Sequence, residues 1–336
     1  MTHVRRLLPA AVGLGISGVL IALLLLQADP RQALATLGQA QWLLLPLALL
    51  PLAVDLAART VRWRVLLARD PRPGYRDTFR YLTVGYLANV VLPGRLGEFV
   101  RAHLVGTRSQ VGQLRALGSI ALERGIDLVT AATLGALAAW LVGIHSGVQG
   151  AFTVIAAIGW AALLVITLLP HTLVRRLIDW SVARLSIGPG VRIMPHLGSF
   201  AHALVDAAAP RLVIEALALS LVSWSAATAV FGVAAASLGL AVSPVVLLAM
   251  CTAANLGTAI PSAPAGVGPF EFAVVYVGTA AGLEPSSALA LGILAHFVTV
   301  IPVSVLGAFN LSALQWDFAQ LRGMARLARR LPQETG

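Results

Sequence analysis

The chain has 336 residues, 58% hydrophobic and only 11% charged, with a mean hydropathy of +0.85. A soluble domain carries about 25% charge, so a water-solvated fold is excluded and most of the surface must face lipid. The formal net charge is +10, all 24 basic residues are arginine, and the single cysteine, Cys251, rules out an intrachain disulfide or a cysteine-rich metal site. In a membrane protein a basic excess marks cytoplasmic loops and anionic lipid, not nucleic acid.

In chain order, Arg5 and Arg6 precede an apolar run over 7–26, read as a retained first span and not a cleaved signal peptide. Residues 29–41 read as a short polar connection. The second span, 42–67, opens on Trp42 as an interfacial aromatic and carries Asp55 and Arg59 at i, i+4. That pair reads either as an intrahelical partnership or as charge facing a central cavity. Residues 62–80, rich in arginine and interrupted by Pro71, Pro73 and Gly74, read as a cytoplasmic loop. A broken segment over 79–106 follows, then a third span over 118–143 with Glu123, Arg124 and Asp127 near its start. After a turn at 145–149 comes a fourth span, 150–169. Residues 170–211 form the longest extramembrane connection, in which 172–185 is amphipathic and suits the inner leaflet. The fifth span is 212–238, and 239–243 is a turn. A second broken segment covers 244–282, the last span, 285–311, contains His296, and a tail over 312–336 ends polar.

The first break reads Asn89-x-x-x-Pro93-Gly94-Arg95-x-Gly97-Glu98-Phe99, with Arg101 beyond it. Proline removes an N–H and pushes Leu92 out of the helical region, so no helix runs straight through. The second break holds Asn255, Pro261, Pro264, Gly266, Gly268 and Glu271-Phe272. Each begins with Ala-Asn, interrupts at Pro and Gly, and closes on Glu-Phe. Each also follows two spans and precedes one, which makes two repeats, 7–143 and 150–311, of opposite orientation. The predicted fold is an all-α polytopic membrane protein: a single transmembrane domain over 1–336, with about six full spans plus two re-entrant broken-helix segments in an inverted-topology repeat. Such folds bring broken helices together near the midplane and build the substrate site there. Arginine placement puts both termini and the 170–211 and 312–336 segments in the cytoplasm.

The chemistry on offer suits an anion. Half-helix N-termini after Pro93-Gly94 and after Gly266-Val267-Gly268 present free N–H groups, and Arg95, Arg101 and Arg124 add full positive charge. Glu98, Glu123, Asp127 and Glu271 are counter-charges, able to hold the arginines or to carry protons. Arg101 and Arg124 are expected to attract a lipid phosphate while Glu98 and Asp127 neutralise them between cycles. No metalloprotease, serine-hydrolase or Walker pattern occurs, so neither an enzyme nor a cofactor nor a metal is expected.

Asn89, Leu92, Pro93, Gly94, Arg95, Gly97, Glu98 and Arg101, with Glu123, Arg124 and Asp127, resemble the motifs of the transmembrane region of lysylphosphatidylglycerol synthases and the stand-alone flippase-like proteins related to them. The resemblance covers essentially the whole chain. In the second break Ala265 and Phe270 stand where relatives often carry Gly and Arg. The two-part synthases add a soluble aminoacyl-transferase domain, with no counterpart in these residues. The resemblance therefore implies a flippase of the cell membrane, moving an anionic phospholipid or lipid-linked precursor, and not aminoacylation. The rival readings are a small-solute secondary transporter and a scaffold subunit for a membrane-bound lipid or glycan synthase. The expected partners are membrane lipids through an anionic headgroup or phosphate, with a second copy of the chain or a synthase as candidate protein partners.

Overall fold

The computed structural model describes residues 2–67, 72–92, 96–144, 147–185, 194–260, 262–316 and 323. The described residues are helical or in turns, with no strand among them. Five helices are long and apolar enough to cross a membrane, and a sixth crossing is reached when the bent pair at the N-terminus counts as one. That pair is α1 (Thr2–Leu25) and α2 (Pro30–Gly38), bent by 83°. Asp29 causes the restart: its carboxylate accepts the Arg31 N–H at 2.8 Å, and Pro30 suits the first helical turn. The connection predicted over 29–41 is thus mostly helix.

A 3-10 turn, Trp42–Ala48, runs into α3 (Leu49–Leu66). The loop predicted to start at Arg62 starts later, because Arg62 lies inside α3 and is wholly buried. Its charge finds carboxylates within the bundle, so it need not leave the helix. Helix α4 (Tyr75–Val91) begins before the predicted 79 and stops where Leu92 turns extended, φ −100 and ψ 136, as a residue before proline must. Pro93, Gly94 and Arg95 lie outside the described residues. The chain resumes in α5 (Gly97–Arg108), then α6 (Gln113–Val142) and α7 (Gly147–Leu168); the turn predicted at 145–149 falls partly outside the described residues. Helices α8 (His171–Leu185) and α9 (Met194–Ala207) fill the long connection. They pair through Arg175 with Asp206 and Asp179 with His202, and α9 packs on α6. Then come α10 (Pro210–Ser237), α11 (Pro244–Gly257), a 3-10 turn at Pro264–Gly266, α12 (Pro269–Ala280) and α13 (Pro285–Ala313).

Lipid supplies little hydrophobic drive between helices, so close packing must hold them. Helices α4 and α5 meet almost backbone to backbone. A Cβ at Gly97 would stand 2.0 Å from the Gly85 carbonyl oxygen, and one at Gly85 would stand 2.3 Å from the Arg101 side chain. Helix α10 runs along α3, α13 along α4, and α11 along α6, while α5 packs on α6 and α12 on α13. The turn at Pro264–Gly266 touches α4, so the two breaks share one interior. Helix α1 is stitched to the second break by Ser17, whose hydroxyl donates to the Val267 carbonyl at 2.7 Å and accepts the Ala263 N–H at 2.8 Å.

Candidate functional site

Helix α3 presents Asp55, Arg59 and Arg62 at i, i+4, i+7, one above another on a face. Helix α6 presents Glu123 and Asp127 at i, i+4 toward them. Arg62 grips Asp127 with both terminal nitrogens, at 2.5 and 2.9 Å, reaches Glu123 at 3.1 Å, and donates to the Ser220 hydroxyl of α10 at 2.7 Å. Such a planar fork matches a carboxylate bidentately. Arg101 of α5 closes the other side of Glu123 at 2.7 Å and lies 4.0 Å over the Trp63 ring, whose Nε1–H donates to Ser119. Arg59 bonds Asp55 at 2.7 Å and approaches Asp127 at 3.7 Å, and Ser223 of α10 donates to Asp55. The Asp55–Arg59 pair is thus an intrahelical partnership that also reaches the neighbouring helices α6 and α10. Arg124 reaches Glu123 at 3.4 Å and Asp127 at 3.6 Å.

Four guanidiniums thus contact three carboxylates, leaving one formal positive charge in the cluster. Its depth is graded: the side chains of Arg62 and Glu123 are 0% exposed and Arg101 1%, while Arg124 is 33% exposed and forms the open edge. A lone charge at a helix centre costs about 2.5–3.5 kcal/mol on insertion scales, which is why these groups are interlocked. Donors remain unpaired even so: Nε of Arg62, Nε and Nη1 of Arg101, and Nε of Arg124, with the Tyr86 hydroxyl also buried and unpartnered.

Glu98 does not pair with Arg101. Its Oε1 lies 3.5 Å from the Asn89 amide, and Asn89 Oδ1 accepts the Gly97 N–H at 2.7 Å, bridging the first break. In the second break Asn255 instead donates to the Cys251 carbonyl of its own helix at 2.9 Å. Glu271 reaches back to the Gly268 N–H at 2.8 Å and meets His296 at 2.5 Å. Gly266 and Gly268 take positive φ, 83 and 99, beside Ala265 at 62. Of the residues predicted for the site, Arg101, Glu123, Arg124 and Asp127 come together in the ion cluster. Asn89, Gly97 and Glu98 border it, and Asn255, Gly266, Gly268 and Glu271 gather at the second break. Pro93, Gly94 and Arg95 lie outside the described residues. Arg62, Ser220, Ser223 and His296 belong to these groups but were not singled out as site residues. Arg62 could have been found from its heptad spacing to Asp55.

The family model of the lysylphosphatidylglycerol synthase TM region matches residues 10–307. The chain is 27% identical over 334 residues to a Haloferax volcanii protein named glycosyltransferase AglD, covering 88% of this chain and 53% of that protein. It thus spans about half the length of this curated relative. No solved structure matches the chain. The helical spans and the family match together make the chain a multi-pass membrane protein that belongs to the lysylphosphatidylglycerol synthase TM region family.

Proposed function

We propose that this protein moves an anionic phospholipid or lipid-linked precursor between leaflets, its phosphate engaging the arginine cluster. The observation that carries the reading is the cluster itself: four guanidiniums in contact with three carboxylates, with unpaired donors on Arg62, Arg101 and Arg124. A phosphate docking at the open edge, Arg124, exchanges for a carboxylate partner with little change in net charge, while the buried Arg62 and Arg101 keep the field positive. Glu98, half-buried beside the break, is in this reading a carboxylate that helps neutralise the arginines once the phosphate has left. The inverted repeat belongs to the same reading. It is supported by corresponding elements packing in corresponding ways: α4 on α13 answers α11 on α6, α5 on α6 answers α12 on α13, and α3 lies against α10. With the N-terminus inside, both termini are cytoplasmic. Impermeant thiol labelling of single cysteines in a Cys251→Ser background checks this, and labelling of the 62–80 segment from outside intact cells would overturn it.

The functional test is leaflet exchange of a labelled anionic lipid in proteoliposomes. Arg124→Lys keeps the charge but loses the fork, and should slow exchange about tenfold, roughly 1.4 kcal/mol of barrier. Exchange at the wild-type rate in Arg124→Lys and Glu98→Gln alike would move the site elsewhere. The similarity to a protein named a glycosyltransferase favours a second reading, a membrane subunit that presents a lipid-linked substrate to a glycan-forming enzyme. A wild-type protein that exchanges no lipid but co-purifies with such an enzyme supports it.

A further inference from the structure

The second break holds a titratable pair that makes no contact with the arginine cluster. His296 sits inside α13, 7% exposed, with its ring stacked on Phe270 at 4.2 Å. Its Nδ1 lies 2.5 Å from Glu271 Oε1, and its Nε2 lies 3.1 Å from the Ala265 carbonyl oxygen. As a hydrogen bond, the contact to Ala265 needs a hydrogen on Nε2, because a carbonyl oxygen can only accept. A neutral imidazole has one N–H, and with that hydrogen on Nε2 the Nδ1 lone pair would face a carboxylate oxygen directly. Two lone pairs do not rest at that distance, so a proton lies between them. The pair is either imidazolium with carboxylate or imidazole with carboxylic acid. Both forms hold one proton more than a neutral histidine and an ionised glutamate.

What that proton holds in place is under strain. Ala265 has φ 62, a left-handed conformation that opposes its Cβ, between Ser262 and the glycines Gly266 and Gly268 at positive φ. Such a turn persists only while its surroundings enforce it. Ser17 of α1 holds the turn at Ala263 and Val267, Glu271 Oε2 holds the Gly268 N–H, and His296, tied to Glu271 Oε1 through the shared proton, holds the Ala265 carbonyl at its strained centre. The elements packed on α13 are α2, α4, α10 and α12. Among the described residues their titratable groups, such as Arg31, Tyr86, Glu215 and Tyr276, make no hydrogen bond or ion pair with His296; Cys251 of α11 makes none either. Glu271 is its charged partner.

We propose that His296 and Glu271 form a proton-binding site that latches the second break: the bound proton clamps the strained Ala265 turn onto α12 and α13, and its release loosens that turn while Ser17 keeps Ala263 and Val267 on α1. The bookkeeping is a single proton leaving the Nδ1···Oε1 bridge for water, after which imidazole and carboxylate face each other without a hydrogen and separate. The inference needs no lipid movement, so its failure and that of the transport reading are distinguishable.

The test is amide hydrogen exchange of the full chain in nanodiscs, read by mass spectrometry over residues 262–273, from about pH 5.5 to about pH 8.5 and corrected for intrinsic rates. Protection should fall at least about tenfold as pH rises, while α10 stays protected throughout. His296→Gln and Glu271→Gln each remove the shared proton and should give the same protection at every pH. Glu271→Gln keeps side-chain size and an oxygen able to accept the Gly268 N–H, and so carries the test if His296→Gln does not fold. Protection in the wild type that ignores pH, or a wild-type pH response surviving in either variant, overturns the proposal.

Discussion

The two breaks meet one difficulty, a helix interrupted among apolar neighbours, and meet it from opposite ends. At the first, the incoming helix does the bridging: Asn89 of α4 reaches across and takes the Gly97 N–H. At the second, the outgoing helix does it: Glu271 of α12 reaches back to the Gly268 N–H while Asn255 stays on its own helix. Their settings differ as much. The first break borders four arginines locked to three acids, whereas the second is served by one histidine and one glutamate against Phe270. Two stretches that share Asn before the break and Glu after it have therefore divided the work. One side holds a network of arginines and acids, and the other a single histidine–glutamate pair. Pattern likeness in a sequence does not by itself carry a residue's job from one copy to the other.

The largest way to break this contrast is Glu123→Ala. It strips the buried Arg101 of its carboxylate and leaves Arg62 with Asp127 alone, and removing one partner of a buried ion pair costs about 3–5 kcal/mol. Loss of the monodisperse peak in mild detergent, or a large drop in the melting temperature, is the expected outcome. Next comes Gly97→Ala, whose methyl would stand 2.0 Å from the Gly85 carbonyl, so α4 and α5 must part. Overpacking of this kind costs about 1–3 kcal/mol. At the second break Gly257→Ala meets the Pro269 carbonyl at only 3.0 Å and should lower the melting temperature much less. Equal shifts would remove the distinction between a tight hairpin and a loose one.

The asparagines sharpen the comparison further. Asn89→Ala strips the Gly97 N–H of its acceptor at a buried position, a loss of about 1–3 kcal/mol, while Asn255→Ala gives up a bond within one helix and should cost about 1 kcal/mol or less. Thermal melts of the pair, read by tryptophan fluorescence, rank them. The smallest effect lies outside the spans, at Glu284, which caps α13 by accepting the N–H groups of Ser286 and Ser287 at 3.0 and 2.7 Å. Burial pushes its carboxyl up, but the bonds from Ser286 and Ser287 together outweigh it and hold the group below the usual carboxylate range. A depressed folded value means its stabilisation is present above the unfolded value of about 4.3 and is lost as pH falls through the folded one. Glu284→Gln should therefore flatten a shallow acid-side decline in melting temperature, well away from the alkaline-side opening assigned to His296.

Much of this was legible in the residues. The stop at Leu92 follows from Pro93, and five of the six apolar runs matched candidate crossings because length and hydropathy are local properties, the sixth being reached only when the bent N-terminal pair counts as one. What escaped notice is non-local. Arg62 looked like the first residue of an arginine-rich loop, since nothing beside it announces that Glu123 and Asp127 wait on another helix, 61 and 65 residues away. Glu98 looked like the partner of Arg101 at i, i+3, yet Arg101 follows Trp63 and Glu123 inward while Glu98 stays with Asn89. Glu271 and His296 are 25 residues apart on different helices, and only packing brings them together. The helix over Pro30–Gly38 was masked by its polarity.

Ser17 gives the molecule an order in time. Its hydroxyl completes the second break through atoms 246 and 250 residues further along the chain. At translation rates of about 5–20 residues per second, α1 therefore waits roughly 10–50 s in the membrane before its partners are made. A helix synthesised ahead of α2 to α13 is among the last to be secured. A nascent chain missing that closure leaves the Ala263 N–H and the Val267 carbonyl without the Ser17 hydroxyl that pairs both.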